Sequence, residues 1–209
     1  MSIVVVLEQP ENSAALLGWA WDVALSRQES LIALLLQKGS AIDVQERSLV
    51  VTDGEVESSR LAEVRRIVQA LSVNSASAGG HSPIIIKTAT APDLLQVILD
   101  EGQRTGASLL AVNAGLSEGR LRSGLAQKLF ARAPCAVMAF SGIHSAKHTR
   151  FVVPVRGGIH GNAALSLAHC VAEARQGTAT ALHVYSPSMD EGEACGERVL
   201  SRACEDTGI

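Results

Sequence analysis

The stretch Val4–Gln37, VVVLEQPENSAALLGWAWDVALSRQESLIALLLQ, recurs without a gap as Val152–Tyr185, VVPVRGGIHGNAALSLAHCVAEARQGTATALHVY. A shift of 148 positions (152 minus 4) lays Val4, Val5, Ala15, Leu17, Ala20, Ala24, Arg27, Gln28, Ala33 and Leu34 on identical residues. Each copy reads as an apolar strand, a tight polar turn, an amphipathic helix and a second apolar strand. A period of this length belongs to domains rather than to solenoid repeats. The chain therefore reads as one complete unit followed by the start of a second.

Outward from that stretch, strands and helices alternate. Ile3–Leu7 is a continuous β-branched and aliphatic run, as in a strand covered on both faces. Asn12 or Ser13 is placed to cap the helix that follows, by accepting a bond from an orphan N–H. Leu16, Leu17, Ala20, Trp21, Ala24 and Leu25 then share one helical face. Leu31–Leu36 is the next strand, and the polar stretch Lys38–Glu57 contains a short extended candidate at Ser48–Thr52. Leu61, Val64, Ile67, Val68 and Leu71 mark a second helix, and Ile84–Ile86 a strand. Pro92 suits the first turn of a third helix carrying Leu94, Leu95, Val97 and Ile98, which stops near Gly106. Leu109–Val112 is a strand, Leu121, Leu125, Leu129 and Phe130 mark a fourth helix, and Cys135–Phe140 is a further strand.

In the second unit, Phe151–Val155 is a strand, Asn162–Arg175 a helix, Thr178–Tyr185 a strand, and a last helix starts from Glu191. Strands alternating with helices imply right-handed crossovers and a parallel sheet between two helical layers. The expectation is a doubly wound, parallel, five-stranded α/β domain over residues 1–141, a linker at 142–149, and an incomplete second copy over 150–209. An incomplete copy leaves a sheet edge and apolar faces uncovered, so the chain is expected to be a piece of a longer protein or to be completed by a partner.

The bulk properties narrow the classes. Hydrophobic residues make up 47% and aromatic residues 3%, so the core rests on Val, Ile, Leu and Ala. The longest clean apolar run, Leu31–Leu36, is far shorter than the roughly 18 residues that span a bilayer. Direct membrane insertion is not expected, and Met1–Val4 lacks the basic start of a secretory signal. A net charge of −3 speaks against nucleic acid as partner. Cys135, Cys170, Cys195 and Cys204 show no CxxC spacing and read as thiols in a reducing compartment.

Several segments resemble the universal stress protein family. They are the opening Val4–Ala24, the strand Ala107–Val112, the helix entry Ser123-Gly124-Leu125-Ala126-Gln127-Lys128, and Ala133-Pro134-Cys135-Ala136-Val137-Met138. Val152-Val153-Pro154-Val155-Arg156-Gly157-Gly158 looks like a second family opening. The resemblance implies a Rossmann-like five-stranded layer. In members that bind ATP, it implies a glycine loop after the fourth parallel strand, whose backbone N–H groups face the phosphates, and an Asp at the end of the first strand.

This chain departs from that pattern. Glu8 stands at the Asp position, Asn113 replaces the first glycine, and Ser123-Gly124 inverts the usual Gly-Ser order. The Asn113–Ser123 segment is also too short for the family spacing, although Gly115 and Gly119 are present. The resemblance thus implies a non-catalytic, cytosolic regulatory or assembly domain with a degraded nucleotide loop and no resident cofactor. The alternative is an ATP- or AMP-binding member using Glu8, Asn113, Gly115, Ser123 and Gly124. It also implies pairing through the strand Cys135–Phe140, with another copy or between domains. Such tandems occur as cytoplasmic tails of transporters of the amino-acid permease and cation–chloride cotransporter type.

Other residues were weighed for chemistry. Arg156-Gly157-Gly158 follows a strand and precedes a helix, where a guanidinium and helix N–H groups can grip an anion. His144 and His148 are spaced i, i+4, with no further ligand at metal-binding spacing. His160 reads as a turn residue before a helix, His169 as a helix residue and His183 as a strand residue. Glu8 faces no recognisable nucleophile, and no nucleophile elbow, P-loop or dinucleotide fingerprint is present. An enzyme is not expected. Trp19 and Trp21 cannot point the same way on one helix, so one belongs to the core and the other to an interface. Arg65-Arg66 and Arg120-Leu121-Arg122 read as solvated basic spots.

Overall fold

A computed structural model describes residues 1–8, 13–39, 43–47, 59–76, 83–113, 116–117, 120–121, 124–141, 148–156, 158–184 and 192–207. The chain divides into two compact units, Met1–Ala146 and Lys147–Ile209.

The first unit runs β1 (Ser2–Leu7), α1 (Ser13–Arg27), β2 (Ser30–Lys38), β3 (Asp43–Arg47), α2 (Ser59–Ala76), β4 (Ile84–Ala91), α3 (Leu94–Arg104) and β5 (Ala107–Asn113). It continues with β6 (Leu116–Ser117), β7 (Arg120–Leu121), α4 (Gly124–Arg132) and β8 (Ala136–Phe140). The sheet order is β3-β4-β2-β1-β5-β8. Every pairing except β3–β4 is parallel. β1 is buried along its whole length, which its unbroken aliphatic sequence requires. Val4 and Val6 cluster with Ile32, Leu34 and Leu36 beneath α3 and α4. The alternate residues face the other layer, where α1 packs on β1, β2 and β5 and against α2.

The sheet has six strands, one more than the sequence implied. The added strand, β3, lies antiparallel on the edge of β4, a pairing that needs no crossover helix. Its polar sequence DVQER carries no aliphatic run to announce it, and Val44 is exposed. The extended candidate at 48–52 lies outside the described residues. Asp93, not Pro92, sets the start of α3: its Oδ1 accepts the N–H groups of Leu95 and Gln96, and Pro92 precedes the cap. Leu121 does not join α4. It pairs with Leu116 in the short hairpin of β6 and β7, and Phe130 on α4 is exposed rather than core. Ser13 opens α1 as a buried residue, while Asn12 lies outside the described residues. Trp21 is core, and Trp19 stacks tilted on Phe140 within the same unit at 5.8 Å.

Arg65, read from the sequence as solvated, is buried on α2 while Arg66 is exposed, and Lys87 and Glu101 are buried as well. Lys87 on β4 reaches Glu101 on α3 at 3.0 Å, and Arg104 grips the same carboxylate with Nε and Nη2 at 3.0 and 2.8 Å. Cys135, Cys170 and Cys204 are free thiols, and burial pushes the Cys135 thiol up. Among the described residues no helix is long and apolar enough to cross a membrane.

The second unit runs β9 (Arg150–Pro154), α5 (Gly158–Ala174), β10 (Thr178–Leu182) and α6 (Gly192–Thr207). β9 and β10 form a parallel pair with Val153 and Val155 packed against Leu165 of α5 and Ala203 of α6. α5 starts four residues earlier than Asn162, at Gly158, whose φ of +80° favours glycine, so His160 lies inside the helix. β10 ends at Leu182. His183 lies just beyond it, with Nδ1 2.8 Å from the Val155 carbonyl oxygen.

The two β-α-β openings agree in detail under the repeat shift. Val4 pairs with Ile32 as Val152 pairs with Thr180. Gln28 and Gln176 both close their helices at positive φ, 54° and 52°. At the first, the Gln28 and Glu29 N–H groups reach the Leu25 and Ala24 carbonyls; at the second, Gln176 and Gly177 reach Glu173 and Ala172. This is the Schellman closure, built here on glutamine in place of the usual glycine.

Candidate functional site

In the first unit the strand order reverses between β1 and β5, which follow different crossovers yet lie side by side. Open α/β sheets bind ligands in the crevice beyond the carboxyl ends of such strands. The register pairs Val6 with Val112, so Glu8 and Asn113 lie at the carboxyl ends of the adjacent strands β1 and β5. Asn113 is half-buried and Glu8 is exposed. The main-chain carbonyl of Glu8 accepts a hydrogen bond from Nη2 of Arg60, in the first turn of α2. Arg60 was not foreseen, because nothing in its local sequence separates it from the other surface arginines. The contact is tertiary and spans the strand end and the helix start. A carboxylate and a carboxamide can accept and donate hydrogen bonds to a hydroxyl or amine here, and the guanidinium adds a positive charge at the same rim.

Gly124 is the first residue of α4 and is exposed. A Cβ at Gly124 would meet nothing within 4 Å, and its φ is not positive, so neither backbone nor neighbours demand glycine. Gly124→Ala is therefore expected to leave the fold intact and to stabilise it by up to about 0.5–1 kcal/mol, read as a shift in the denaturation midpoint. Gly115 and Ser123 lie outside the described residues, as do Gly119 and Gly157.

Arg156 and Gly158 belong to the second unit, and Glu8, Asn113 and Gly124 to the first. Under the repeat shift Arg156 occupies the position of Glu8, and the charge at the strand end is reversed. Arg156 is exposed. β9 pairs only with β10 among the described residues, so no strand beside it provides the second wall that β5 gives to β1.

The second unit also has a groove of ≈ 570 Å³ between the start of α5 and α6, lined by Ile159, Asn162, Arg198, Arg202 and Asp206 among others. Asn162 donates to Asp206 across it at 2.8 Å. Both arginines are exposed and the groove is open to solvent, so it resembles a helix-pair furrow more than a built site. Among the described residues no cluster of metal-ligating side chains occurs. His148 is exposed and its carbonyl accepts from Arg175, while His144 lies outside the described residues.

No protein-family model matches the sequence, and no curated protein matches it significantly. Solved structures do match. A crystal structure from Pseudomonas aeruginosa UCBPP-PA14, provisionally described as a universal stress protein, is 18% identical with a TM-score of 0.62, covering 100% of this chain and 70% of that one. A protein of unknown function from Pseudomonas aeruginosa PAO1 is 19% identical with a TM-score of 0.53, over the same shares. The universal stress protein of Archaeoglobus fulgidus in complex with dAMP is 13% identical with a TM-score of 0.42, covering 66% of this chain and 96% of its own. The chain thus has the α/β fold of the universal stress proteins, with a mostly parallel central sheet between helices.

Proposed function

We propose that the chain is a non-catalytic, cytosolic regulatory or assembly module of the universal stress protein type, built as one whole unit and a partial second copy. The observation that carries this reading is the second unit's sheet. Among the described residues it has two strands, packs Val153 and Val155 beneath helices, and leaves Val152 and Leu182 exposed. Exposed apolar side chains on one sheet face support reading that face as an interaction surface. The matching strand register and matching helix closures support the tandem origin. The family context extends the reading to the cytoplasmic domain of a transporter, and a parent transcript without any multi-span hydrophobic region would remove that extension.

Self-association runs through β8 in this account, because β8 ends the sheet and its outer edge is unpaired among the described residues. The expected solution mass at micromolar concentration is twice 21.9 kDa. Ala136→Lys, which places a charge on an exposed residue of that edge, is expected to restore the monomer mass. A parent chain that sediments as a monomer would sink the association.

A second reading is favoured by the crevice itself. Glu8 and Asn113 follow and end the adjacent strands β1 and β5, and this reading takes them, with Gly124 at the start of α4, as the nucleotide site. In that reading ATP or AMP is the ligand, and Arg60 supplies the charge that the altered glycine loop does not.

A further inference from the structure

We draw no further inference here: the strongest candidate, the groove between the start of α5 and α6 with Arg198 and Arg202 at its rim, rests on a helix N-terminus beside two exposed arginines, and no polar side chain that lines it is buried.

Discussion

Replacing Glu101 with Gln is expected to destabilise the first unit by about 3–5 kcal/mol, the range for breaking a buried ion pair from one side. The carboxylate is buried and holds two cations at once, Lys87 from β4 and Arg104 from the last turn of its own helix. Gln keeps the shape and removes the charge. The Lys87 ammonium, itself buried, is then left beside a neutral amide in a low-dielectric layer. Arg104 is largely exposed and can turn to water, so most of the loss falls on Lys87. The companion change Lys87→Met with Glu101→Leu is expected to recover most of the stability, because a buried pair offers little over well-packed apolar side chains. Both tryptophans lie in α1, so their fluorescence during urea unfolding reports this unit alone. That matters because a chain of two units need not unfold in one step. A single variant within about 1 kcal/mol of the parent would mean that water reaches the Lys87–Glu101 pair in solution.

The second large expected effect compares identical residues at matching positions of the two units. Leu34→Ala is expected to cost about 2–5 kcal/mol, the range for emptying a closed aliphatic site. Leu34 is fully buried between β2 and the α3–α4 layer. Leu182→Ala is expected to cost less than about 1 kcal/mol, since much of that side chain already contacts water. Tryptophan fluorescence follows the first change, and hydrogen exchange in β10 follows the second. Equal costs at the two positions would show that the second sheet is covered on both faces.

Much of the architecture was legible in the residues because burial on both faces demands it. The runs at Ile3–Leu7, Leu31–Leu36 and Leu109–Val112 have no polar alternation, and each became an inner parallel strand. What escaped the sequence is physically of another kind. β3 is an edge strand of polar residues, held by backbone ladder bonds to β4 that leave no hydrophobic signature. Leu121 keeps helical spacing with Leu125, yet the helix begins only at Gly124 and Leu121 turns into a hairpin. The closures at Gln28 and Gln176 put glutamine, not glycine, at the left-handed position.

The candidate site was less legible than the fold. Strand ends identify Glu8 and Asn113, since a strand's last residue is fixed by its apolar run. Arg60 reaches the same place only through the packing of α2, which no local spacing encodes. Gly124 looked like part of a phosphate cradle, but open space around it shows no steric need for glycine there. The exposure of Val152 and Leu182 became visible only when burial could be compared position by position.

Calorimetric titration of the intact chain with ATP, and separately with AMP, with and without Mg²⁺, tests the central claim most directly. The account of a non-catalytic assembly module with an altered nucleotide loop predicts no saturable heat up to millimolar nucleotide. Saturable binding with a dissociation constant at or below tens of micromolar, about −6 to −8 kcal/mol, would contradict it. Loss of that binding in Arg60→Ala or Glu8→Ala would then place the nucleotide at the β1–β5 crevice.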